Sequence, residues 1–267
     1  MAPPLPADSA PRVVHDPACE RLRELQVWQI AYCRDVVKTL GPGLKGARVP
    51  DGHTMVGRAY TVEGPDIYID ALEGIGPNEV YVQAGCHAAD AVFSPGWTHA
   101  YLKPRGAVGC VVDGGVYKSF ECQKAAVPMF CRFHSPSVAI NRARAGTIGK
   151  TVTISGVAIS PGDIICADAD GVVVVRKEDE RDLMAGLDAY LEGNGNFGKL
   201  AGKYCVAKGV RMSEHPAIAD MFARKYANPS GYWRDYADWW ATWKDKYPVD
   251  GAGGNAAFYS GTPRSKL

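Results

Sequence analysis

The segment ISGVAISPGDIICADADGVVVV, residues 154–175, decides the fold class, because it contains several short strand-sized apolar runs separated by turn sequences. The turns are Ser155-Gly156 and Pro161-Gly162-Asp163, and a further strand is expected at Lys150–Ile154. This spacing predicts a β-meander. We interpret the aspartates of the segment as turn residues rather than metal ligands.

Upstream of this segment, strand patterns alternate with helical ones. Helical spacing covers residues 19–40, 88–105 and 178–192, and strands are expected at 55–63, 79–83, 107–113 and 127–133. Such alternation predicts crossover units with parallel strands in the first half, followed by antiparallel strands. The fold class is therefore α/β.

Composition is typical of a folded protein: 267 residues, 46% hydrophobic and 22% charged, with a formal net charge of +1. This charge gives no reason to expect nucleic acid or a membrane surface as a partner, and no apolar run reaches the length of a bilayer span. The eight cysteines contain no C-x-x-C pair, so we expect most of them to be reduced and structural.

Three motifs together resemble the RraA-like/HMG-aldolase family, over roughly residues 20–190. They are MVGRAYTV (55–62), RGAVGCVVDGGVYKS (105–119) and the segment 154–175, which is the most specific. The resemblance implies a layered β/β/α domain that assembles as a homotrimer or hexamer, with active sites between subunits. It also implies an Arg-Asp pair: the aspartate holds a divalent metal, and the arginine and helix-start amides grip a 2-oxo acid whose enolate the metal stabilises.

The sequence departs from this family pattern at each polar position of the site. Tyr117 and Lys118 stand where the resemblance places the arginine and the metal-binding aspartate, and Gln83 stands where relatives often carry aspartate. The helix start reads Ser94-Pro95-Gly96, which loses one backbone N–H to proline. We therefore expect no divalent metal at this position and no other cofactor.

The catalytic hypothesis centres on Lys118. Its ammonium could supply positive charge to an enolate or carboxylate, or its neutral amine could act as a base or form a Schiff base; the alternative is a solvated loop lysine. Tyr117 is either a hydrogen-bond donor or a filler of the arginine's volume. His87 is the preferred general acid or base, ahead of His99 and His134. The residues expected to contact substrate are Gln83, Ser94, Gly96, Trp97 and Asp113.

Three functions remain open. The first is an enzyme acting on a carbonyl or enol substrate without the usual metal, as a carbon–carbon lyase, a decarboxylase or a catalyst of a related enolisation or cyclisation. The second is a non-catalytic binding or regulatory protein, like family members that inhibit a ribonuclease. A conventional metal-dependent 2-oxo-acid aldolase ranks last, because the Arg-Asp pair is missing.

The expected organisation is a flexible arm at 1–18, the RraA-like domain at 19–192, a C-terminal extension at 193–259 and a flexible tail at 260–267. The extension holds a Trp-rich helix at 231–247, expected to dock on the domain or on a neighbouring subunit, or else to cover a ligand pocket. The final Ser265-Lys266-Leu267 matches a peroxisomal address. It predicts a peroxisomal import receptor as partner, a eukaryotic source and a setting suited to acyl-chain or secondary-metabolite chemistry.

Overall fold

A computed structural model describes residues 14–50, 52–64, 69–86, 91–138, 146–228 and 232–246. The chain divides into two compact units. The first comprises Met1–Ala31 and Lys38–Glu178, and the second comprises Tyr32–Val37 and Asp179–Leu267.

The strands of the described residues follow one another closely along the chain. They are β1 (Val37–Thr39), β2 (Lys45–Arg48), β3 (Met55–Glu63), β4 (Glu79–Ala84), β5 (Ala91–Phe93), β6 (Gly109–Val116), β7 (Met129–His134), β8 (Thr147–Ile148), β9 (Val152–Ile154), β10 (Val157–Ile159), β11 (Ile164–Asp168) and β12 (Gly171–Val175).

Ten of these strands form one mixed sheet, in the order β1-β12-β11-β3-β4-β6-β7-β2, with β5 beside β6 and β8 beside β3. The pairs β3–β4, β4–β6 and β6–β7 are parallel, whereas β11 runs antiparallel to β3 and to β12. The expected change from parallel to antiparallel strands is confirmed. The prediction of a single β-meander is wrong, because β9 and β10 form a hairpin of their own outside the large sheet.

The large sheet is covered differently on its two faces. One face packs on short helical segments, α3 (Ile69–Gly74), α4 (Pro95–Trp97) and α5 (Ser119–Cys122), through buried residues such as Leu72 and Cys122. The other face packs on the β9–β10 hairpin, whose Ile154 and Ile159 are fully buried. These layers are the β/β/α arrangement that the family resemblance implied.

The helix expected over residues 19–40 is wrong as a single element. The structure has α1 (Pro17–Arg23), α2 (Val27–Ala31) and then β1. The break occurs because distant side chains bind the backbone there: Val27 N donates to Asp168 Oδ2 at 2.8 Å, and Thr54 Oγ1 donates to the Leu25 carbonyl at 2.7 Å.

The end of the arm expected at 1–18 is part of the folded unit. Asp16 caps α1 by accepting from Cys19 N at 3.0 Å, and its carboxylate also pairs with Arg58 at 2.8 Å. The helix expected at 88–105 is likewise shorter, since β5 precedes α4 and the rest consists of a π turn (98–102) and a 3₁₀ turn (103–105). Residues 87–90 lie outside the described residues.

The second unit is helical, with α6 (Glu180–Gly198), α7 (Val206–Lys208), α8 (Pro216–Ala227) and α9 (Tyr232–Trp243). The domain boundary expected at 192 falls inside α6. Gly193 allows α9 to cross α6 closely, because a Cβ there would collide with the backbone of Tyr236.

The expected Trp-rich helix is α9, and it packs on α6 and α8 within its own unit. Trp239 is fully buried, donates from Nε1 to the Ala217 carbonyl at 2.6 Å and lies 5.6 Å from Phe197 between ring centroids. Among the helices of the described residues, none is long and apolar enough to cross a membrane. The tail at 260–267 is outside the described residues.

Candidate functional site

The candidate site lies where the parallel strands of the large sheet end. Cys86 follows β4, Ser94 follows β5, and Tyr117 and Lys118 follow β6. The backbone N–H of Tyr117 donates to the Phe93 carbonyl at 3.2 Å, which brings the ends of β5 and β6 together. Ligands of open α/β sheets bind at such carboxyl ends.

Lys118 stands in a conformation that is uncommon for its residue type. Its φ is 58°, in the left-handed region, and its carbonyl accepts from Glu121 N at 2.8 Å as α5 begins. The side chain is exposed, with Nζ 5.7 Å from the ring centroid of the half-buried Tyr117. A non-glycine residue in this region is strained by about 1 kcal/mol or more, and such strain clusters at functional sites. The two substituted family positions therefore present a cation and a phenol side by side.

The helix start beside them is built as a side-chain cap. Ser94 is buried, and its Oγ accepts from Gly96 N at 3.3 Å, while Gly96 itself is exposed. Trp97 packs on Tyr101 with ring centroids 5.6 Å apart. Among the described residues nothing accepts a hydrogen bond from the buried Nε1 of Trp97. This indole N–H is a donor that a ligand oxygen could use.

Asp113 is engaged by a residue that the sequence reasoning missed. Arg132, on β7, donates from Nε to Asp113 Oδ1 at 2.6 Å and from Nη2 to Ser155 Oγ at 2.7 Å. Both side chains of the ion pair are about a quarter exposed, at 25% and 22%. The available signal was a charged residue inside the otherwise apolar strand MFCRF (129–133).

Gln83 and Cys86 lie at the end of β4. Gln83 is fully buried, and its amide donates to the Gly64 carbonyl at 3.1 Å, so it fastens β4 to the end of β3. Burial, reinforced by the negative charge of Asp113, raises the pKa of the Cys86 thiol to about 12. Cys86 packs on Gly114, where a Cβ would lie 2.6 Å from the Cys86 Cβ. Cys86 is therefore protonated at neutral pH and is a poor nucleophile.

The three histidines considered as general acids or bases lie in different places. His87 lies outside the described residues. His99 is exposed, and its Nε2 lies 2.6 Å from the Lys124 carbonyl, so it links the π turn to the loop after α5. His134 ends β7 and is exposed.

Two aspartates of the segment 154–175 make turn hydrogen bonds, as the sequence predicted. Asp163 accepts from Ser160 N and Lys177 N, both at 2.8 Å. Asp168 accepts from Asp170 N at 2.9 Å, in addition to Val27 N.

The donor set of the described residues does not fit a divalent cation. Lys118 has no lone pair when protonated, and Asp113 is already paired with Arg132. Within the described part of the chain, no three His, Cys, Asp or Glu side chains are grouped so as to hold a metal ion. His87 and Asp90 lie outside that part.

The layered domain, with its candidate site at the strand ends, places this protein in an RraA-like α/β class. The model of the RraA-like family, described as Aldolase/RraA, matches residues 32–174, just over half of the chain. The chain belongs to this family.

Individual relatives agree with this assignment. The chain is 29% identical over 134 residues to a protein of Halalkalibacterium halodurans named "Putative 4-hydroxy-4-methyl-2-oxoglutarate aldolase". That match spans 49% of this chain and 63% of the relative, which is less than two thirds of its length.

Solved structures share the fold. An uncharacterized protein from Pseudomonas syringae pv. tomato aligns with a TM-score of 0.60 at 22% identity, over 76% of this chain and 97% of its own. The RNA-processing inhibitor RraA from Thermus thermophilis aligns with a TM-score of 0.50 at 19% identity, over 57% and 92%. At these identities the likeness shows the fold alone.

Proposed function

We propose that this RraA-like protein is an enzyme that acts on a carbonyl or enol substrate at the strand-end site, with the ammonium of Lys118 in place of the divalent metal that the family resemblance implies. One observation carries the proposal. Lys118 is exposed, with a left-handed backbone conformation, at the carboxyl end of β6 and beside the Tyr117 phenol. These are the two positions at which the resemblance places the family's Arg-Asp pair.

The chemistry follows from where charge develops. When a carbon–carbon bond next to a carbonyl breaks, its electron pair moves onto the carbonyl oxygen as an enolate. A cation held close to that oxygen lowers the barrier, and the Tyr117 hydroxyl offers a second donor. The other fragment leaves as carbon dioxide in a β-decarboxylation, or as a carbonyl compound in a retro-aldol cleavage, in which a general base takes the proton of its hydroxyl group. The enolate carbon then takes a proton from a general acid. Retro-aldol cleavage and β-decarboxylation share this step, so both reaction classes fit the site.

The proposal is tested by measuring turnover of a panel of 2-oxo acids that carry either a hydroxyl group on C4 or a carboxyl group on C3. Lys118→Met is expected to lower kcat by about 10²-fold or more, the usual effect of removing one group that stabilises developing oxyanion charge. Lys124→Met is the matched control, because Lys124 is an exposed lysine just beyond α5. If the two variants are equally active, and circular dichroism shows that both are folded, Lys118 takes no part in the reaction.

A second function, non-catalytic binding of another protein, is favoured by one observation. Phe120 is 95% exposed on α5, two residues after Lys118. A large apolar side chain at the site rim suits contact with a macromolecule. This alternative predicts no turnover across the whole panel, together with a complex that Phe120→Ser weakens and Lys118→Met leaves intact.

A further inference from the structure

A cleft of about 590 Å³ opens at the edge of the sheet opposite to Lys118. Its lining includes Asn78, Val108 and Pro128, each of which directly precedes one of the parallel strands β4, β6 and β7. The volume is that of a small-molecule site. The cleft lies wholly within the first unit and shares no lining residue with the strand-end site.

Three cations line this cleft, and within the described residues no carboxylate pairs with any of them. Arg23 donates to the Val56 carbonyl at 2.9 Å and to the side-chain oxygen of Asn78, which are neutral acceptors. The side chains of Arg48 and Lys103 make no hydrogen bond or ion pair with the described residues. Their charges are therefore left for something that enters the cleft.

Two further features concern the charge of the cleft. Glu20, the one acidic residue among the described lining residues, lies 2.9 Å from His15 Nδ1 and is thus already partnered. Arg48 sits at an irregularity in the pairing of β2 with β7, between Gly46 and Arg48. A bulge of this kind redirects a side chain from the regular alternation of a strand.

The remaining walls are largely apolar, with Pro50, Ala107, Val108, Val127 and Pro128 among them. A simple ion would leave these apolar walls in contact with water. A neutral apolar molecule would leave the cations without a counter-charge. We propose that the cleft binds a small amphipathic carboxylate, with its carboxylate near Arg48 and Lys103 and its apolar part against the proline and valine walls. This site is separate from the proposed active site and does not depend on it.

Isothermal titration of the full chain with decanoate tests the proposal. Decanoate is expected to bind saturably, whereas inorganic phosphate and decanol should each bind at least about 10-fold more weakly, since each lacks one of the two features. The double variant Arg48→Ala/Lys103→Ala should also weaken decanoate binding by about 10-fold or more. The control is Lys124→Ala/Lys177→Ala, which removes two exposed cations elsewhere and should bind like the unaltered protein.

Three outcomes overturn the proposal. If the two double variants bind decanoate with the same affinity, the ligand binds elsewhere on the protein. Phosphate binding as tight as decanoate would mean a plain anion site. A change of oligomeric state in Arg48→Ala/Lys103→Ala, measured by light scattering, would mean that a second copy of the chain covers the cleft.

Discussion

The Arg132–Asp113 ion pair should contribute measurably to the stability of the first unit. Its Nε–Oδ1 distance is 2.6 Å, and the two side chains are 25% and 22% exposed. Hydrogen bonds to charged groups contribute about 1.5–3 kcal/mol when shielded, and exposed ion pairs about 0.2–1 kcal/mol. A pair that is one-quarter exposed falls between these cases, so we expect a coupling free energy of about 1–2 kcal/mol.

The assay is a double-mutant cycle in urea, with Arg132→Met, Asp113→Asn and the double variant. Arg176–Glu178 is the matched control pair, because its side chains are 41% and 69% exposed. Arg176→Met and Glu178→Gln should couple by no more than about 0.5 kcal/mol. If the Arg132–Asp113 cycle also gives no more than about 0.5 kcal/mol, Arg132 does not hold Asp113 in solution, and the carboxylate of Asp113 is available to a metal.

Four further predictions concern the rest of the molecule. Burial raises the pKa of the Cys19 and Cys131 thiols from 9.0 to about 12, so above pH 9 the folded state holds protons that the unfolded state has lost. The free energy of unfolding should therefore fall between pH 9 and 12, by up to about 1.4 kcal/mol per pH unit for each thiol. Urea melts would contradict this if the free energy of unfolding of Cys19→Ala/Cys131→Ala fell with pH as steeply as that of the unaltered protein. Trp239→Phe should cost about 1–3 kcal/mol, because it removes the buried hydrogen bond to the Ala217 carbonyl and part of a fully buried side chain. Trp240→Phe should cost less in the same urea assay, because Trp240 Nε1 bonds the exposed Glu192. Light scattering should show a trimer or a dimer of trimers, and a stable monomer at micromolar concentration would refute that expectation. With Leu267 as the free C-terminus, N-terminally tagged protein should enter peroxisomes and lose this localisation when residues 265–267 are deleted; cytosolic full-length protein would count against the signal.

Local sequence patterns predicted the elements that are fixed by local chemistry. The strand at Met55–Glu63 was placed at its observed bounds, and the turn role of Asp163 follows from its Pro-Gly-Asp setting. Lys118 could be located at a strand end from its motif alone. The apolar run 107–113 of the motif forms the larger part of β6, although the strand continues through Gly114 and Gly115 to Val116.

Contacts between distant residues account for what the sequence did not reveal. Helical spacing over 19–40 was real, but Asp168 binds the Val27 amide from far along the chain and breaks the helix there. Arg132 and Asp113 are brought together by the pairing of β6 with β7, which no single segment specifies. Gly193 looked like a boundary, yet its role depends on α9 crossing over α6.

The rate of carbonyl-substrate turnover before and after removal of divalent cations tests the central claim most directly. The unaltered protein would be assayed on its best 2-oxo-acid substrate, then treated with excess EDTA, and finally supplied with Mg²⁺ or Mn²⁺. Because Lys118 supplies the positive charge in our account, the rate should be the same at all three stages. A rate that falls with EDTA and returns with Mn²⁺ would contradict the account and place the protein among the metal-dependent aldolases of its family.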